Sequence, residues 1–157
     1  MQYYDYIAKG YNELHSAEQI NKLKIIKENL ALVPHWLVLD VGCGTGLSKV
    51  LGCRVVGLDP SVGLLKQAPF PKVLGVAEFL PFKDDSFDAV ISVTSVHNFQ
   101  DKEQGIREMQ RVGRRMFVVS VLKKSRHAAS IAGILAKRFK IRRCLDEGKD
   151  KIYFLEM

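Results

Sequence analysis

The stretch that most limits how this chain can fold is Trp36-Leu37-Val38-Leu39-Asp40-Val41-Gly42-Cys43-Gly44-Thr45-Gly46. Its first half is a short apolar run, the pattern of a strand buried on both faces of a sheet. Its second half places a glycine at every other position, which lets the chain turn sharply and lets a ligand approach the backbone closely. A short helix is expected directly afterwards, around Leu47–Leu51. The first N–H groups of such a helix have no partner within it and face whatever sits at the turn. A strand that ends in this way delivers a binding loop to the carboxyl edge of a sheet, where ligands of open α/β proteins sit.

The remaining sequence supplies the rest of that sheet. Strands are expected at Arg54–Leu58, ending at Asp59, and at Lys72–Val76, Phe87–Val93, Arg115–Val121, Lys140–Leu145 and Ile152–Glu156. Helices are expected over residues 17–32, with Ser16 as N-cap and Pro34 beyond the end, and over Ser61–Gln67, Lys102–Arg111 and about His127–Arg138. Asp146-Glu147-Gly148 reads as the turn of a closing hairpin. Strands alternating with helices predict an open, mostly parallel sheet wrapped by helices, with the hairpin making one edge antiparallel. No repeat or linker interrupts the 157 residues. The chain therefore reads as one domain, residues 1–157, with an N-terminal helical extension over residues 1–33.

The spacing of the glycines narrows the ligand. The dinucleotide pattern G-x-G-x-x-G is met by Gly42 and Gly44, but its third position falls on Leu47 and Gly46 comes one residue early. No Gly-Lys-Ser/Thr follows, so the phosphate loop of nucleotide hydrolases is excluded too. Val38 through Gly46 instead resembles the first motif of class I S-adenosylmethionine-dependent methyltransferases nearly letter for letter. Val56-Gly57-Leu58-Asp59-Pro60-Ser61 resembles their second motif, and Leu80-Pro81-Phe82-Lys83-Asp84-Asp85-Ser86-Phe87-Asp88 resembles the segment that enters their fourth strand. Tyr4-Asp5-Tyr6-Ile7-Ala8-Lys9-Gly10-Tyr11-Asn12 is similar to the N-terminal segment that often folds over their cofactor. The resemblance covers about residues 3–122 and is greatest to methyltransferase type 11, the group that includes ubiquinone/menaquinone-type and tRNA wobble-uridine enzymes. It implies a Rossmann-like α/β fold, with a seven-stranded, mostly parallel sheet flanked by helices and an antiparallel C-terminal hairpin. It also implies S-adenosylmethionine as cofactor and methyl transfer as activity.

The resemblance assigns roles residue by residue. Asp59, with Pro60 beside it, would accept hydrogen bonds from both ribose hydroxyls, since a carboxylate offers two acceptor oxygens. Gly42 and Gly44 would give backbone room beside the methionine moiety, and Cys43 is a small packing residue in the loop rather than a reactive thiol. Asp40 would either cap the glycine turn or receive the ammonium group through water. Ala77 and Glu78 would flank the adenine. Relatives often carry an Asp before that Ala, and this chain has Val76, so adenine recognition falls to backbone groups or to Glu78. Tyr11 would close over the cofactor as part of a lid.

The fourth strand runs out through Ser92-Val93-Thr94-Ser95-Val96-His97-Asn98-Phe99, and the resemblance places its carboxyl end, Val93 included, beside the methyl group. His97 is the candidate catalytic base, because its pKa range suits proton removal. A structural hydrogen-bonding role, or contact with the cofactor carboxylate, are the other readings of it. No Asn-Pro-Pro-Tyr/Phe sequence stands there, which argues against exocyclic amines of bases as acceptors.

Charge bears on the acceptor. The net charge is +7, and between Arg111 and Lys151 thirteen Lys and Arg face three acids, Asp146, Glu147 and Asp150. That basic third suggests an RNA acceptor such as tRNA, with Lys140, Arg142 and Arg143 as candidate contacts, against a small-molecule acceptor or a merely solvated face. The short Val121–Ala128 connection and the tight final hairpin suggest an open substrate side, completed by a macromolecular substrate, an activating partner subunit or a second copy of the chain. A non-catalytic S-adenosylmethionine-binding module or scaffold subunit is the competing reading, motivated by Val76. Cys43, Cys53 and Cys144 form no CxxC pair, so neither a metal site nor a disulfide framework is expected. No apolar run is long enough to span a membrane and no signal sequence is read at the N-terminus, so a cytoplasmic location is expected.

Overall fold

Side chains alternate across a strand, so a strand that is apolar at every position must be covered on both faces. The computed structural model describes the backbone of residues 2–157 and the side chains of residues 16–157, and Tyr11, the candidate lid contact, lies outside the described side chains. The elements are α1 (Gln2–Asn29), β1 (Leu37–Val41), a 3₁₀ turn (Leu47–Leu51), β2 (Arg54–Asp59), α2 (Val62–Leu65), β3 (Lys72–Leu74) and β4 (Phe87–Val93). A second 3₁₀ turn (Val96–Asn98), α3 (Lys102–Val112), β5 (Gly113–Leu122), α4 (Ala128–Arg138), β6 (Lys140–Glu147) and β7 (Asp150–Glu156) complete them. The seven strands lie in the order β3-β2-β1-β4-β5-β7-β6. β1 to β5 are parallel, and β7 enters antiparallel between β5 and β6.

Alternation along the central strands sorts the core into two layers. Val38, Ala89, Ile91, Val118, Ile152 and Phe154 pack under α1 with Leu23, Ile26 and Leu30. Their neighbours Leu39, Val41, Val90, Phe117, Val119 and Leu155 pack under α3 and α4 with Ile106, Met109, Ile131 and Leu135. The strand order reverses between β1 and β4, so a crevice opens at their carboxyl ends. The glycine loop emerges at that point.

Several boundaries differ from expectation by a few residues, and three of the differences bear on the architecture. Ser16 lies inside α1 and caps nothing, because no proline precedes it to stop the helix. β3 ends at Leu74: Gly75 N–H to Asp59 O, 3.2 Å, is the last bond of its ladder with β2, and the chain then leaves the sheet towards the crevice. The hairpin turn is the pair Gly148-Lys149, with Gly148 at φ +51° and Glu147 opposite Asp150. Such a two-residue turn needs positive φ, which glycine supplies without steric cost. Among the described residues no helix is long and apolar enough to cross a membrane.

Candidate functional site

The glycine loop is held from beneath and from the side. The N–H groups of Gly42 and Cys43 both donate to Leu58 O, at 2.7 and 3.1 Å. Gly44 N–H donates to Asp59 Oδ2 and Ser61 N–H to Asp59 Oδ1, each at 2.9 Å. One buried carboxylate thus ties the loop to the start of α2. Gly42 has φ +79° and a Cβ there would lie 2.0 Å from Ser95 Oγ; Gly46 has φ +83° and would meet Pro69 Cδ at 2.6 Å. Gly46, which breaks the dinucleotide spacing, is required by conformation and by contact alike.

A cavity of about 330 Å³ opens on this loop. Gly42, Gly44, Asp59, Pro60, Ala77, Glu78 and Val93 line it, so seven of the sequence-derived positions meet there. Asp40 and Cys43 face a smaller void of about 40 Å³ between α1 and the loop, which shares Gly42, Gly44 and Val93 with the larger cavity. His97 lines neither. It sits in the 3₁₀ turn where Val96 is fully buried and Asn98 faces the cavity, so its ring lies to one side.

The electrostatics of these groups follow from their burial. Ser48 Oγ donates to Asp40 Oδ2 at 2.6 Å, while among the described residues Asp40 Oδ1 is buried without a hydrogen-bond partner. Burial, opposed by the Ser48 bond and reinforced by nearby Asp59, raises the Asp40 carboxyl to about 7. Burial, then Asp40 and Asp59, push the Cys43 thiol up. Cys43 Sγ fills the space above Gly57, where a Cβ would stand 2.6 Å from it, a packing role. His97 is half-buried, with Nδ1 unpartnered among the described residues, and burial pushes its pKa down, with Asp150 opposing and Lys102, His127 and Lys22 assisting.

Several residues of the site carry no sequence signal. Phe79, Gln100, Asp101 and Gln104 line the cavity beside Ala77 and Glu78. Glu78 Oε2 accepts from Asp101 N–H at 3.0 Å, and Asp101 caps α3 by accepting from Gln104 N–H at 3.0 Å. Thr94 and Ser95 line the opposite wall. Thr94 has φ +51°, a conformation that costs a β-branched residue about 1–3 kcal/mol. Topology could have found them, because they follow the carboxyl ends of β3 and β4. The Leu80–Asp88 segment is structural. Arg111 donates to Leu80 O, Phe82 O, Asp84 and Glu108, and Asp88 accepts from Leu37 N–H at the far end of the strands.

The arrangement fits an S-adenosyl group. A buried carboxylate oxygen with no partner among the described residues suits an ammonium, the glycine loop leaves no room for a Cβ against Ser95, and Pro60, Leu64, Val76, Ala77 and Phe79 offer apolar surface for a flat ring with polar groups at its edge. Residues 39–116 match the family described as methyltransferase domain. The chain is 38% identical over 117 residues to uncharacterized protein MJ1252 of Methanocaldococcus jannaschii, covering 71% of this chain and 46% of that one. It is 36% identical over 123 residues to demethylmenaquinone methyltransferase of Corynebacterium efficiens, covering 74% of this chain and 54% of that one. The chain thus spans about half the length of the curated relatives it matches. Among solved structures, the complex between the Haloferax volcanii Trm112 methyltransferase activator and a methyltransferase matches with TM-score 0.82 at 16% identity, over 98% of this chain and 96% of that one. That likeness is one of fold. With its seven-stranded sheet, its glycine loop and the acid that ends β2, the chain belongs to the class I methyltransferases, whose cofactor is S-adenosylmethionine.

Proposed function

We propose that this chain holds S-adenosylmethionine in the cavity at the β1/β4 crevice and directs its methyl group to an RNA acceptor. The observation that carries the cofactor half is the Asp59 carboxylate, buried at the cavity wall and fixing the loop through Gly44 and Ser61. In this reading Asp59 faces the ribose, Pro60, Ala77 and Glu78 flank the nucleoside, and Gly42, Gly44, Val93 and Asp40 surround the methionine end. Cys43 supports the loop and Tyr11 covers it. The bound cofactor supplies an activated methyl on a sulfonium with a neutral leaving group. The residues of the chain align the acceptor and exclude water. His97 stands outside the cofactor cavity, on the side of α4. Its depressed pKa keeps it neutral near pH 7 and able to take a proton from an acceptor arriving there.

Asp40 gives this reading a pH signature. The folded protein keeps the proton to about pH 7, whereas the unfolded chain releases it near 3.8. The folded state therefore binds more protons across that window, and stability declines as pH rises through it. A ligand ammonium favours the ionised carboxylate, so cofactor binding at pH 6 releases a proton and affinity climbs towards pH 8. Calorimetry in buffers of different ionisation enthalpy is expected to detect that proton, and Asp40→Asn to abolish it. A pH-independent affinity in the parent would remove Asp40 from the ammonium site.

In this reading the charge that would face RNA is not the set the sequence offers first. Lys140 and Arg142 pair with Glu156 at the amino edge of the sheet, away from the cavity, and Arg143 bonds Asn29. Lys123, Lys124, Arg126 and Lys149 instead gather at the carboxyl edge, where Leu122 lies opposite Asp150 and Lys123 N–H reaches Lys149 O. Reversing Lys123, Lys124 and Arg126 to Glu is expected to weaken tRNA binding and reduce the slope of log K against log salt by about 2. Reversing Lys140, Arg142 and Arg143 is expected to do far less. Transfer of labelled methyl to tRNA completes the test. No tRNA binding at low salt turns the reading to a small-molecule acceptor, and cofactor binding without any transfer turns it to a non-catalytic module. A partner subunit fits the open side of the site, where Leu74, Val76 and Phe79 are exposed beside the free edge of β3.

A further inference from the structure

Lys22 of α1 and Asp150 at the start of β7 are 3% and 0% exposed and belong to none of the methyltransferase motifs. The Lys22 ammonium lies 3.2 Å from Asp150 Oδ1 and donates to Thr94 Oγ1 at 2.9 Å. Thr94 Oγ1 donates to Asp150 Oδ2 at 2.7 Å, and Ser120 Oγ donates to the same oxygen at 3.2 Å. Thr94 N–H meets Ser120 Oγ at 2.7 Å. Four elements, α1, β5, β7 and the end of β4, therefore converge on one residue, and that residue has φ +51°.

A β-branched residue in the left-handed region persists only where its surroundings over-determine it. A buried ion pair is seldom more stabilising than apolar residues of the same shape, so its placement here calls for a reason other than stability. The wall of the cavity supplies one. Thr94 and Ser95 line the cavity, Ser95 Oγ closes on Gly42, and the α1 turn that carries Lys22 also brings Gln19 and Leu23 over the loop.

We propose that Lys22 and Asp150 are positioning residues: together they clamp Thr94 in its left-handed conformation, which sets Ser95 against the glycine loop and fixes α1 over the methionine end of the site. The proposal rests on the reading of the cavity as the S-adenosylmethionine site.

The test is a mutant cycle read with S-adenosylhomocysteine as the titrated ligand, by calorimetry, with melting temperature measured in parallel. Lys22→Met/Asp150→Asn removes the pair and keeps its shape. It is expected to melt within about 5 °C of the parent while binding about tenfold more weakly, the size of one relaxed backbone strain. Adding Thr94→Gly, which enters the left-handed region without cost, is expected to restore affinity to within about threefold of the Thr94→Gly protein alone. If the pair variant does not fold, Lys22→Gln is read in the same cycle. Unchanged affinity in the pair variant overturns the clamp. So does a loss that Thr94→Gly fails to rescue, since that loss would belong to general destabilisation. A parent that does not bind S-adenosylhomocysteine overturns the cofactor reading itself.

Discussion

Asp59→Ala is expected to lower S-adenosylmethionine affinity by at least about 100-fold, measured by titration calorimetry. The reason lies in the two backbone donors it satisfies. Removing the carboxylate leaves Gly44 N–H and Ser61 N–H, both bonded to it at 2.9 Å, without their acceptor in a buried setting. Each orphaned donor costs about 1–3 kcal/mol. The glycine loop loses its tie to α2, and on the proposed reading the ribose loses its acceptor too, so binding is expected to fall further than stability. Asp59→Asn is expected to fall between, because an amide keeps one acceptor oxygen and presents a donor to one of the two N–H groups. Wild-type affinity in Asp59→Ala would sink the assignment of this carboxylate.

The second large effect is at Gly42. Gly42→Ala puts a methyl 2.0 Å from Ser95 Oγ and 2.7 Å from Ser95 Cβ, at a φ of +79°. The conformational part costs about 1 kcal/mol and the overlap, relieved only by moving Ser95, about 1–3 kcal/mol more. The movement opens the wall against which the cofactor would rest, so binding is expected to vanish from calorimetry while the protein still melts cooperatively. Gly42→Ala/Ser95→Gly removes the overlap and leaves the conformational cost. It is expected to recover most of the lost stability and part of the affinity. A single variant as stable as the parent, binding normally, would show that the loop is not confined as described.

These two predictions stand on residues legible in the sequence, and the reason is local. Asp40 through Gly46 is a strand ending in glycines, and its geometry is dictated by the residues themselves: positive φ at Gly42, Gly44 and Gly46. β4 was readable to the residue, Phe87–Val93, because a turn-forming Asp-Asp-Ser precedes a mostly apolar run broken only by Asp88 and Ser92. The parallel direction of the strands around β1, though not their order, followed from strands alternating with helices. What could not be read depended on distant parts of the chain. Lys22 stands between polar and apolar positions of a helix and reads as solvated, yet it is buried because Asp150 waits beneath it. Thr94 gives no hint of a left-handed backbone, since three other elements impose it. The basic residues were countable, but only the antiparallel entry of β7 tells which of them stand at the cavity edge. His97 was read as part of the end of the fourth strand, but β4 stops at Val93 and the 3₁₀ turn that follows decides which way its ring lies.

The antiparallel β7 also bears on the order in which the protein can assemble. The strands that carry the glycine loop and its acid, β1 and β2, lie early in the sequence and pair as neighbours. Asp150, which completes the wall behind Thr94, lies far along the sequence from its partner Lys22, with β1 to β6 between them. Contacts so far apart in sequence close late and slowly, after local ones have formed. A nascent chain that has formed β1 to β5 therefore has the loop without the finished cavity. Capture of the ligand would then await the β6–β7 hairpin, and binding would report that this hairpin has paired.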